Sequence, residues 1–291
     1  MSTDAPAYPR PTGEPDPSPA RSRQRWLIVA VAGWAVLLLV LAYVSLRHDA
    51  PTVREQRDLA EAAPVVDRAV GALAAAAAAD PDVVVELRPP RLARDCRVTP
   101  VRAGATLERD VVVRAAGADA DALLRRIAER LPADYRAGTR GAGEQTRLRA
   151  DAGEFVGVEG RFTAPGTATL SVDTGCRPEG PPQARVVGPA GTYDVERTAG
   201  RVLGALGGTA GASPERITAP CPGGGTAYTA RLAGSAPAPG SLAGALRPLA
   251  GPDAVVVTDE PDRYAYRSGP LSVLAEAGGG EIRVAATTAC G

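Results

Sequence analysis

One membrane-spanning helix followed by two tandem, related α+β modules is the fold that this 291-residue sequence predicts. Each module is expected to set helices on a mainly antiparallel sheet and to hold one disulfide. Three observations lead there. An uncharged apolar run of spanning length lies near the N-terminus. All four cysteines lie beyond it. The part that carries the cysteines reads twice in the same order.

The run Trp26–Leu46, WLIVAVAGWAVLLLVLAYVSL, has 21 residues and no charge. At about 1.5 Å per residue it crosses a hydrocarbon core of roughly 30 Å. Trp26 and Tyr43 lie near its two ends, where amphipathic rings favour the interface. Arg21, Arg23 and Arg25 precede it, and the positive-inside bias therefore puts the N-terminus in the cytoplasm. The run is longer than the apolar core of a signal peptide, and no A-x-A cleavage site follows, so an uncleaved anchor is expected. Residues 1–25 hold six prolines among scattered Ser, Asp and Arg, and cannot build a core. They read as a disordered Pro/Arg-rich cytoplasmic tail. Ser22, between Arg21 and Arg23, could be read by a kinase, but the arginines are explained by topology alone.

Beyond the span, GEFVGVEGRFTAPGTATLSVDTGC ends at Cys176 and GPLSVLAEAGGGEIRVAATTAC ends at Cys290. Each is an apolar strand, a Gly-containing turn and an alternating strand that closes on Cys. Upstream, Val66, Val70, Leu73 and Ala77 fall opposite Val195, Ala199, Val202 and Leu206, with the 3.6-residue apolar period of an amphipathic helix. Each copy thus has the order helix, Cys, strand, helix, strands, Cys. First strands are expected near Leu107–Ala115 and Thr226–Leu232, and second helices at Ala120–Leu131 and Ser241–Leu249. Further β segments are expected near Tyr135, at Gln145–Ala150, at Ala254–Thr258 and at Arg263–Arg267. Thr52 and Glu55 fit a capping box for the first helix, and Pro64 is expected to kink or restart it. The boundaries are 51–180 for module 1, 181–192 for a Pro/Gly-rich linker and 193–291 for module 2.

An even cysteine count confined to the exported side points to disulfides in an oxidising compartment. Four cysteines allow three pairings. The symmetry selects Cys96–Cys176 and Cys221–Cys290, each closing a long loop worth about 4 kcal/mol on the chain-entropy model.

Zero formal net charge and the absence of a concentrated basic face argue against a nucleic-acid partner. The chain has no Lys and no Asn, the pattern of a GC-rich genome, and without Lys there is no P-loop. His48, the only histidine, sits at the membrane boundary, which excludes Ser-His-Asp catalysis and His-based zinc sites in the exported part. No catalytic residue, cofactor or metal is expected. Asp259, Glu260 and Asp262 form the one carboxylate cluster, but they flank Pro261 between two strands and read first as a solvated turn. CPGGGTAY reads as a flexible loop, and Asp119 and Asp121 as helix-capping residues. The most unusual exported stretch is Glu86–Arg102. Arg88, Arg91, Arg94, Arg97 and Arg102 there face only Glu86 and Asp95, and copy two does not repeat them. Such a patch could meet anionic lipid or an acidic envelope polymer.

This architecture, with its VVVTDEPDRYAYRSG…TTAC style of module, resembles uncharacterised single-span membrane proteins of actinobacteria. The resemblance implies no activity and carries over no site residues. The expected role is a membrane-anchored extracytoplasmic binding or scaffolding module for an envelope component or partner protein. A signal-transmitting sensor subunit and a carboxylate-dependent wall hydrolase are the alternatives.

Overall fold

Helix α1 (Ala20–His48) contains the whole apolar run and is long enough to cross a bilayer. Its side chains from Trp26 to Tyr43 are exposed, apart from a half-buried Ala30. The computed structural model describes residues 20–48, 57–116, 120–180, 193–235 and 241–290. The tail 1–19, Thr52, Glu55, Asp119 and the linker 181–192 lie outside the described residues. The chain divides into two units, Met1–Arg54 and Glu55–Gly291, and the second carries both sheets and both disulfides.

Helix α2 (Leu59–Ala78) starts at Asp58, whose carboxylate accepts from the Glu61 N–H at 2.9 Å. The working cap is therefore Asp58, six residues further along the chain than Thr52. This bond is the N-cap half of a capping box. Pro64 lies in the second turn and α2 continues through it. The strands of the first sheet are β1 (Val83–Leu87), β2 (Arg91–Thr99), β3 (Arg102–Ala115), β4 (Gly138–Arg140), β5 (Arg147–Asp151), β6 (Gly157–Ala164) and β7 (Thr167–Asp173). Helix α3 (Ala120–Arg130) follows β3 and buries Leu123, Leu124 and Ile127. Tyr135 is in a 3-10 turn, Ala133–Tyr135, rather than a strand; Arg136 ends it in the left-handed region, and the strand begins at Gly138.

The second sheet holds β8 (Thr209–Ala210), β9 (Glu215–Pro220), β10 (Thr226–Ser235), β11 (Val255–Glu260), β12 (Arg263–Ser268), β13 (Leu271–Gly278) and β14 (Glu281–Thr288). Helix α4 (Tyr193–Ala205) precedes it, and α5 (Leu242–Ala250), capped by Ser241, interrupts it after β10. Both sheets are antiparallel. The first runs β1-β3-β7-β6-β5-β4 with β2 also on β3; the second runs β8-β10-β14-β13-β12-β11 with β9 also on β10. The strand order is the same in both. The expected disulfides are formed, Cys96–Cys176 and Cys221–Cys290, with Cα separations of 5.9 and 5.6 Å.

The modules do not stand apart. β1 is buried on both faces. Val83, Val85 and Leu87 pack under α2, while Val84 joins Val257, Ala265, Leu274 and Ala285 on the face of the second sheet. β1 is also an edge strand, and its outward N–H groups need partners. Ser272 Oγ accepts from Val85 at 3.2 Å and Thr229 Oγ1 accepts from Leu87 at 3.1 Å. Thr229 shares a 2.8 Å hydrogen bond with Thr287, and all three hydroxyl residues are buried. Ile217, Ala219 and Ala227 continue the same face beneath α2.

Arg177, fully buried, holds the start of α2. Its guanidinium donates to the carbonyls of Thr174, Arg57 and Glu154, and the Leu59 N–H donates to the Pro178 carbonyl at 2.8 Å. Glu154 and Phe155, at φ 53° and 61°, are both left-handed, a costly backbone for non-glycine residues that the Arg177 bond helps to fix.

Gly71 in α2 sets the closest approach. A Cβ there would lie 1.8 Å from the Pro220 carbonyl oxygen, next to the Cys221–Cys290 bridge. Gly71→Ala is therefore expected to cost about 3 kcal/mol or more. Gly200→Ala, with nothing near its Cβ on the exposed face of α4, should stabilise by about 0.5–1 kcal/mol. Urea denaturation of both variants checks the contrast.

Candidate functional site

Where β1 and β3 cross the second sheet, charged side chains replace apolar ones. Glu86 on β1 alternates with Val84 and so faces the second sheet. It is only 2% exposed. Its Oε1 lies 3.2 Å from Arg231 Nε on β10, and its Oε2 lies 3.1 Å from an Arg88 nitrogen and 3.7 Å from Arg114 on β3. Arg114 also meets Glu276 of β13 at 3.1 Å, and Arg263 of β12 meets the same oxygen at 3.0 Å. Arg231 reaches outward to Glu215 at 3.1 Å. Two modules thus contribute to one ionic network.

Burial pushes the Glu86 carboxyl above its ordinary 4.5, against the pull of Arg88, Arg114 and Arg231. Burial likewise lowers Arg114, against Glu86 and Glu276. Desolvation works against both charges, and the ion pairs of the network hold them in place. Beside the network opens a cleft of about 320 Å³, with Glu86, Arg231, Glu215 and Glu276 on its walls and Leu274 and Ala285 on its floor. It offers paired charges of both signs over an apolar base, an arrangement suited to holding a polar ligand or a partner side chain.

A second ionic group ties the end of α2 to α3. Asp80 accepts from Arg126 at 2.9 Å and from Arg130 at 2.7 Å. Its backbone carbonyl accepts from Arg267 of the second module. Burial pushes the Asp80 carboxyl up, but the bonds from Arg130 and Arg126 outweigh it and hold it below the ordinary 3.8.

The five arginines expected to form an anionic-surface patch separate. Arg88 turns into the buried network. Arg91 pairs with Glu108 at 2.7 Å and Asp110 at 2.8 Å, and Arg94 pairs with Glu179 at 3.0 Å. Arg97 donates to the Pro100 carbonyl, and Arg102 lies with it at the tip of the β2–β3 hairpin, around a 94% exposed Val101. Long-range pairing, invisible in the local run, neutralises Arg91 and Arg94, and Glu86 within the run takes Arg88. Asp95 belongs to no ion pair among the described residues. Asp259 pairs with Arg247 and Glu260 with Arg263, which leaves the hydrolase reading no free carboxylate pair on β11. The glycines of CPGGGTAY form the β9–β10 turn, closed by Gly224 N–H to the Cys221 carbonyl. Among the described residues, no three His, Cys, Asp or Glu side chains converge as a metal site would require.

Arg114, Arg231 and Glu276 escaped the sequence reading. The available signal was a charge at mid-strand within an apolar run, in DVVVRAA, TARLAG and SVLAEAG. Comparison of the chain with protein-family profiles, curated proteins and solved structures finds no match.

Two predictions follow from these networks. Glu86→Ala takes the shared buried anion from Arg88 and Arg231 and leaves Arg114 with Glu276 alone, and should cost about 3 kcal/mol or more, whereas Glu86→Leu with Arg114→Met should recover most of it. Chemical denaturation measures both. Asp80 has a depressed pKa, so its contribution is complete above about pH 5 and is lost as pH falls through the folded-state value. Asp80→Asn should flatten that acid limb in a stability-versus-pH series. At neutral pH it should cost only about 1 kcal/mol, because Arg126 and Arg130 are a third exposed and keep water.

Proposed function

We propose that the chain is a membrane-anchored extracytoplasmic binding protein, in which α1 spans the membrane with the N-terminal tail in the cytoplasm. The modules descend from one duplicated unit and present a single rigid body to a partner protein of the cell envelope. The observation that carries this reading is the pairing of all four cysteines beyond a helix of spanning length. Such bonds persist on the oxidising side of a membrane. The shared strand order of the two sheets supports the duplication. The welded interface supports a scaffold over a moving enzyme: charge-lined surfaces remain accessible, while Asp259 and Glu260, two of the three carboxylates with a catalytic reading, are held by arginines.

The test has two arms. Alkaline phosphatase fused after Gly291 should be active in cells, since it requires export. Photo-crosslinking in intact membranes should recover a specific envelope protein. An inactive fusion overturns the topology, and the absence of any specific crosslink overturns the binding role.

A further inference from the structure

Beyond the Ala105–Arg177 bridge, β2 and β3 leave the first sheet and pair only with each other. The last pairs are Arg97 with Ala103 and Thr99 with Arg102, and Pro100 and Val101 make the turn. The hairpin is held at both ends. Cys96 staples its base to Cys176, and a Cβ on Gly104 would lie 2.8 Å from the Cys176 sulfur. At the tip, the Arg97 guanidinium donates to the Pro100 carbonyl at 3.0 Å, and the Arg102 N–H donates to Thr99 Oγ1 at 3.1 Å.

Val101 is the most exposed large apolar side chain among the described residues. Arg97 and Arg102 flank it. Neither belongs to an ion pair among the described residues, whereas Arg91 and Arg94 on the same strand reach carboxylates. Glu179 is taken by Arg94, and Asp95 lies at the base, two residues before Arg97. From Asp95 to Ala103 the hairpin thus has two cations and one anion, with both cations at the outer end. The matching turn of the second sheet is Pro222 and three glycines, with no charge.

The base of the hairpin is also where the chain enters the folded unit. Ala105 and Arg177 exchange backbone hydrogen bonds of 2.8 and 2.9 Å, and the neighbouring Pro178 carbonyl accepts from Leu59, the first residue of α2. Only residues 49–58 separate Leu59 from the end of α1. Such a length reaches at most about 35 Å. With the apolar run of α1 in a bilayer, the chain keeps the hairpin close to a lipid surface. Guanidinium groups pair well with phosphate oxygens, and an apolar side chain between them can enter the headgroup layer. The tether makes the contact intramolecular, so a weak affinity suffices.

We propose that the tip of the β2–β3 hairpin, Arg97, Val101 and Arg102, rests on the anionic lipid surface of the membrane that α1 spans. The proposal rests on the anchored reading above and adds lipid as a second partner, with a site of its own.

Full-length protein is placed at one copy per nanodisc, in phosphatidylcholine alone or with about one-third phosphatidylglycerol. Amide hydrogen exchange, read by mass spectrometry, should be at least threefold slower over residues 97–103 in the anionic discs. The turn 222–225 should exchange alike in both. High salt should remove the difference. Each arginine near an anionic surface favours contact roughly fivefold, so Arg97→Gln with Arg102→Gln should return the tip to its phosphatidylcholine rate. Circular dichroism confirms that this variant is folded. Slowing that survives in the folded double variant overturns the assignment. So does slowing produced in phosphatidylcholine discs by soluble polyglutamate, which would give the tip to an acidic polymer. Equal rates in the two kinds of loaded disc overturn the lipid contact and leave the anchor standing. Protein that does not enter the discs overturns the anchor, and this proposal with it.

Discussion

The arrangement of the two modules depends on how one edge strand, β1, is satisfied. An edge strand must find partners for its outward N–H groups, and at β1 these come from hydroxyls on the face of another sheet. An unsatisfied buried donor costs about 1–3 kcal/mol, so separating the modules without water reaching Val85 and Leu87 is penalised twice over. The hydroxyls must themselves be placed, and the Thr229–Thr287 bond does so from within the second sheet. Once β1 lies on that face, α2 is carried with it onto β9, and Gly71 becomes the position where helix backbone and Pro220 meet.

The same docking explains why ions are buried at the crossing. β1 brings one side chain of each alternation to the second sheet, and the second of these is Glu86. A carboxylate there demands cations, and they come from both modules, Arg88 and Arg114 on one side and Arg231 on the other. Buried ion pairs contribute little net stability over apolar replacements, but a misregistered docking would leave them unpaired. The network therefore acts more on register than on strength. A one-residue slip of β1 would turn Glu86 into the α2 core and Val85 toward Arg231.

Much of this was legible in the chain, and the reason is local periodicity. The apolar faces of α2, α3 and α4 are buried as their 3.6-residue spacing requires, and the two cysteine pairs follow from the repeated order of elements. What was not legible is every feature set by one module acting on the other. The VVVEL run shows no alternation, because both its faces are buried, and nothing in it marks Thr229 and Ser272 as its partners. Arg91 and Arg94 read as free cations because Asp110 and Glu179 lie far along the chain. Tyr135 read as a strand residue because a buried aromatic has strand character, whereas Pro132 and the left-handed Arg136 bound a tight turn there.

The contrast in charge between the two modules has a physical origin in their packing. The hairpins β2–β3 and β9–β10 occupy the same place in the two strand orders. Helix α2 of the first module covers β9 of the second, but α4 packs on its own sheet and leaves β2 uncovered. The association is thus one-sided, and the two hairpins meet different surroundings. On β9, Ile217 and Ala219 are buried beneath α2, and arginines there would be desolvated without partners. On β2 every residue is at least partly exposed, so Arg91, Arg94 and Arg97 keep water or reach surface carboxylates at little cost. The Arg-rich stretch of the first module is what an uncovered edge strand can carry, and it keeps that edge from pairing with another chain.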